Sequence, residues 1–174
     1  MMRRLILSLM LAGGTLVLAA VEAATPEQSA TELAHQWARA VMTRDVDAQM
    51  RLLPPTMYVK PGERERNRLL RVHEKEVALI NKQKLVSFDV RAPVQTIKLN
   101  KTTAVVIPYQ SIVEIAEGKL QTDSVLVALS DEGTDKWSIF DGTGQSTRSL
   151  KLLIPGYTTG LSVPPARSKL IRGE

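Results

Sequence analysis

His73, Tyr109 and Asp123 are the side chains of this sequence that could move a proton in a pocket. His73 sits among Leu69, Leu70, Val77 and Ile80 on one face of an amphipathic stretch. An imidazole there can act as a general base or ligand donor if solvent or substrate reaches it. Tyr109 alternates onto the strand face of Val105, Ile107 and Val113, and Asp123 onto the face of Val125, Val127 and Leu129. If both faces line one concavity, the phenol and the carboxylate converge on His73 as proton donor and base. Trp37 adds an indole N–H to an apolar helix stripe and joins the same set of pocket candidates. Each residue also has a plain structural reading. The histidine is then buried and bonded to main chain, the tyrosine is core with its hydroxyl at the rim, and the aspartate ends a strand in water.

Other chemistries find little support. Asp141-Gly142-Thr143-Gly144 lacks the lysine of a phosphate loop and reads as a turn. Ser111, Ser124 and Ser146 have no histidine and acid arranged around them. His35 falls off the apolar stripe of its helix, no carboxylate stands at metal-ligand spacing, and there is no cysteine. No metal, cofactor or disulfide is therefore expected. The net charge of +5 is too small and too evenly mixed for a nucleic-acid footprint, and 4% aromatic residues make a poor stacking platform.

The N-terminus carries an address. Arg3 and Arg4 precede an apolar run from Leu5 to Ala20, and Val21-Glu22-Ala23 places small residues where a signal peptidase reads. This pattern predicts export, cleavage before Ala24 and a periplasmic location, with no stable membrane span afterwards. The domain then runs over 24–158, with an extended tail over 159–174.

Helices come first in the mature chain. Thr25 caps, Pro26 suits the first helical position and Gln28 can close a capping box. Ala30, Leu33, Ala34, Trp37, Ala38 and Val41 follow in one stripe. Asp45 caps a short second helix bearing Val46, Met50, Leu52 and Leu53, which Pro54-Pro55 ends. Met57 to Val59 reads as a short extended piece, and a longer helix follows over 63–82. From Lys84 the period changes to two. Strands alternate through Val86, Phe88 and Val90, with a bend at Ala92-Pro93, a turn at Asn100-Lys101 and a bulge or edge at Pro108. Glu117-Gly118-Lys119 makes the next hairpin turn, and the strand 136–141 closes an antiparallel meander.

This is an α+β layout, N-terminal helices packed on a curved antiparallel sheet. The stretch Trp37 to Pro55, with its Arg-Asp break and Leu-Leu-Pro-Pro stop, and the strand Trp137-Ser138-Ile139-Phe140-Asp141-Gly142 resemble the NTF2-like (cystatin-like cone) superfamily. The resemblance implies a pocket between sheet and helices and, in many members, dimers through the outer sheet face. It spans enzymes and non-enzymes alike, so function rests on the site. The expected function is an exported domain that binds a small apolar ligand or a protein partner without catalysis. An isomerase or dehydratase using His73 with Tyr109 or Asp123 is the second reading, and an envelope secretion-complex subunit the third. Ala104, Val106, Ile112, Leu126 and Ala128 make the other face of the central strands apolar, which points to a homodimer unless Leu150 to Ile154 and the tail cover it.

Overall fold

A computed structural model describes residues 23–57, 67, 71, 74, 75, 84–131, 134, 136–154, 156–158 and 160–172. Residues 1–22, which hold all but the last residue of the expected signal peptide 1–23, and His73 lie outside the described residues. Of the helix expected over 63–82, Asn67, Arg71, Glu74 and Lys75 are described, and all four are helical.

Helix α1 spans Pro26–Met42. The Gln28 N–H donates to the Thr25 hydroxyl at 3.2 Å, and the Thr25 N–H donates to the Gln28 side-chain carbonyl at 2.8 Å, closing the capping box. The stripe from Ala30 to Val41 is buried, with Trp37 only 4% exposed. Helix α2, Val46–Leu52, is capped by the Asp45 carboxylate, which accepts from the Ala48 N–H at 2.8 Å. Its buried residue corrects the sequence reading. Val46 is exposed, while Gln49 is 2% exposed and donates its amide to the Ala40 carbonyl at 3.2 Å. The Ala40 carbonyl also accepts from the Asp45 N–H at 2.9 Å, so the inward Gln49 adds a second bond at the end of α1 and its own amide is not buried without a partner. A 3-10 turn, Pro55–Met57, follows where an extended piece was expected to begin.

The sheet has six strands: β1 Lys84–Val90, β2 Gln95–Leu99, β3 Thr102–Ile115, β4 Gly118–Asp131, β5 Trp137–Asp141 and β6 Arg167–Ile171. β3 and β4 form the long central hairpin. Each carries two short strands end to end on its outer edge, β1 and β2 on β3, and β5 and β6 on β4. The chain leaves the sheet at 91–94 but stays anchored, through Arg91 N–H to the Pro108 carbonyl and Val94 N–H to the Val106 carbonyl, both 2.9 Å. Pro108 corrects another expectation. It sits inside a continuous strand opposite Val125. Its carbonyl faces the β1–β2 break, so its missing N–H also falls where no ladder bond is required. The register shift lies instead between Leu85 and Ser87, and it leaves Val86 40% exposed.

The β3–β4 turn decides which side chains meet. Ile115 pairs with Gly118, so the chain reverses on Ala116 and Glu117 alone. A turn on Glu117 to Lys119 would close Ala116 against Leu120 and put Tyr109 on the face of Asp123. The two-residue turn changes the phase, because side chains alternate with period two. Tyr109 stands opposite Ser124, and Asp123 opposite Gln110.

Both faces of the central hairpin are covered by the same chain. α1 crosses the Val105–Ile107–Tyr109 face, reaching β1, β3, β4 and β5, and Thr96, which pairs with Val105, stands beside its Glu27 and helps hold that carboxyl below the usual carboxylate range. The segment 160–166 covers the other face as a strap. Val163 packs so closely on Gly142 that a Cβ there would lie 3.2 Å from it and 2.9 Å from Val127. Two hydrogen bonds from Gln95, to the Gly160 carbonyl at 2.8 Å and from the Ser162 N–H at 3.0 Å, pin the strap to β2. Leu150 to Leu153 lie in helix α3, Thr147–Leu153, with Ile154 as its C-cap, and the Leu153 carbonyl accepts from the Thr56 hydroxyl of the 3-10 turn at 2.9 Å. Ala104, Val106, Leu126 and Ala128, the main residues behind the homodimer expectation, are thus fully buried within one chain. Their apolarity needs no second copy. Among the described residues no helix is long and apolar enough to cross a membrane.

Trp37 centres the contact of α1 with the sheet. Trp37→Ala is expected to lower the free energy of unfolding by about 3–5 kcal/mol, measured by urea denaturation. An unfolding midpoint equal to wild type would show that α1 carries its load elsewhere.

Candidate functional site

The sheet separates the candidate residues rather than gathering them. On the helix side, the Tyr109 ring stacks on Phe88 at 4.4 Å between centroids, with the planes 12° apart. The residue is 7% exposed. Its hydroxyl donates to the Asp141 carboxylate at 2.7 Å. The second Asp141 oxygen accepts from the Thr143 N–H at 2.8 Å, and the hydroxyls of Thr143 and Ser124 bond to one another. Burial first, then the charge of Asp141 and the hydrogen bond to it, push the Tyr109 phenol well above the ordinary tyrosine range. A phenol donating to a fixed carboxylate keeps its proton, and a closed network of this kind ties strands rather than transferring protons.

Asp123 belongs to the opposite face and to water. It accepts from the Arg91 guanidinium at 2.9 Å, from Gln110 at 3.0 Å and from Gln121 at 3.3 Å. The Gln110 bond above all, aided by Gln121 and the charge of Arg91, holds its carboxyl below the usual carboxylate range. The expected convergence of Tyr109 with Asp123 is therefore absent, and the two-residue turn is the physical reason. Trp37 is sealed in the core beneath α1. The acid beside Tyr109 is Asp141, which sequence reading assigned to a turn. Asp141 does form that turn through Thr143, yet only the β4–β5 pairing of Leu126 with Asp141 shows that it shares Tyr109's face.

A concave site lies on the strap side. A groove of about 560 Å³ opens between the sheet and the strap, within the usual size range of small-molecule pockets. Val106, Pro108 and Val125 form its floor, Val94 and Gln95 one wall, and Ser162, Pro164 and Pro165 its roof. Asp123 and Arg167 stand at its polar end. Val94, 68% exposed, is a large apolar residue left open to solvent at this groove. Sequence pattern could not find the site, because its roof comes from some seventy residues beyond its wall. Among the described residues no three His, Cys, Asp or Glu side chains gather as a metal site.

With the geometry in place, comparison with known proteins adds no relative. No family model matches this chain, and neither a curated protein nor a solved structure does.

The buried phenol has a signature in alkali. A raised folded pKa means the unfolded chain loses the proton first, so the stability conferred by neutral Tyr109 is intact below about pH 10 and falls as pH rises beyond it. Stability against pH, measured for wild type and Tyr109→Phe, should converge in alkali. At pH 7 the variant should be about 1–3 kcal/mol less stable, because Asp141 loses a donor in a half-buried site. Curves that stay parallel through pH 10 to 11 would contradict the buried, hydrogen-bonded phenol.

Proposed function

We propose that this chain is an exported, non-catalytic binding domain of the NTF2-like type that takes a small apolar ligand in the groove beneath its strap. The observation that carries the reading is the groove itself, a concavity of about 560 Å³ between sheet and strap, with Val106, Pro108 and Val125 at its floor and Val94 exposed at its wall. Such concavities with a few polar groups at one end are the usual form of a ligand site. The non-catalytic part rests on the proton chemistry. Tyr109 is engaged by Asp141, and Asp123 is held ionised on the other face by its ion pair with Arg91 and hydrogen bonds from two amides. Export rests on the Arg3-Arg4 and Leu5–Ala20 pattern, and the NTF2-like assignment on helices that precede a bent antiparallel sheet. The ligand site of this proposal lies on the strap side, away from the helix-side pocket that the resemblance implies.

The neutral probe N-phenyl-1-naphthylamine tests the groove. Its fluorescence should rise saturably on titration with the full chain. Val94→Trp, a substitution at an exposed position that projects a larger side chain at the groove wall, should weaken binding about tenfold or more, in line with the loss of a buried apolar contact of about 1.4 kcal/mol. Unchanged probe binding in Val94→Trp, with wild-type thermal unfolding, would place the probe elsewhere.

A further inference from the structure

The polar end of the groove is asymmetric in charge. Asp123 and Arg167 face one another as cross-strand partners of β4 and β6. Asp123, however, is already engaged by Arg91, Gln110 and Gln121. Among the described residues, the Arg167 guanidinium has neither an ion pair nor a side-chain hydrogen bond, although it lines the groove. The other acid on that row of the sheet is Asp89, opposite Gln110 on β1, three strands from Arg167. The groove thus ends in a cation with unused donors, while the nearest carboxylate is engaged by its own partners.

We infer that the ligand is an anionic amphiphile, a carboxylate or similar monoanion on an aliphatic chain, with its head on Arg167 and its tail over Val106, Pro108 and Val125. The inference rests on the groove reading above and adds the head group. A guanidinium presents a planar fork of donors that fits a carboxylate in two parallel hydrogen bonds. The bond does not require Asp123 to move. Nor does it ask for burial of an unpaired charge, since Arg167 stays in contact with water.

Decanoate and decanol separate head from tail. Each is titrated into the full chain at low salt by calorimetry, with wild type, Arg167→Gln and Lys169→Gln compared. Lys169 lies two residues along β6, opposite Gln121, and controls for general positive charge. Decanoate should bind wild type about three- to fivefold more tightly than decanol, as a solvent-exposed ion pair of up to about 1 kcal/mol allows. Arg167→Gln should erase that preference and leave decanol binding unchanged, and Lys169→Gln should keep it. Equal binding of the two compounds to wild type overturns the anionic head while leaving the groove intact. Loss of the preference in Lys169→Gln to the same degree overturns the assignment to Arg167. If neither compound binds, the groove reading itself falls.

Discussion

The structure depends on how many residues make the turn between its two longest strands. Ala116 and Glu117 reverse the chain, and everything across the hairpin takes its phase from that reversal. Residues Thr102 to Ile115 pair with Asp131 to Gly118 without a slip. A turn longer by one residue would exchange the two faces of one strand while leaving every element in place. The hairpin tolerates no such exchange at its centre, where Val105 to Ile107 and Leu126 to Ala128 are all fully buried. α1 covers one face and the strap covers the other, so each face has its own fixed complement. A strand pair buried on both sides reads as a continuous apolar run, which hides the phase that a half-exposed pair would reveal.

That phase assigns the two carboxylates different circumstances. Asp141 lies on the helix side, accepts from a buried phenol and a main-chain amide, and joins β5 to β3 through Tyr109. Asp123 lies on the strap side in solvent, held by one guanidinium and two amides. Buried polar groups persist when their partners are complete. Tyr109 meets that condition through Asp141, which is why a residue chosen for its chemistry serves here as a tie between strands. The groove sits on the other face, beside the acid that water and Arg91 have already quieted.

Much of the local structure was legible from spacing. Thr25, Gln28 and Asp45 cap the helices they were expected to cap, and the stripe through Trp37 is buried, because these signals act within one or two turns. The meander order and the Asn100 turn follow from the same short range, with Asn100 taking the positive φ of 51° that asparagine tolerates. What alternation along a strand does not carry is the phase between strands, and that is where the Tyr109–Asp123 convergence failed. The inward Gln49 and the displaced register at Val86 depend on contacts with distant partners. So does β6, whose five exposed residues carry no buried stripe and whose approach is set by Gly118, where a Cβ would lie 2.5 Å from the Ile171 carbonyl. The groove is the extreme case, assembled from Val94 and Pro165 with no local pattern at either end.

The natural chain has no cysteine, which makes the hairpin phase directly measurable by cross-linking. Two double substitutions, Gln110→Cys with Asp123→Cys and Val113→Cys with Asp123→Cys, are oxidised under native conditions and read by mass spectrometry after proteolysis. The pairing described here puts Gln110 and Asp123 opposite one another, within the Cα separation that a disulfide needs. The first variant should therefore cross-link readily and the second only slowly. Preferential cross-linking of the second would mean that the turn is one residue longer, that Tyr109 and Asp123 share a face, and that the division between a tied helix side and an open strap side is wrong.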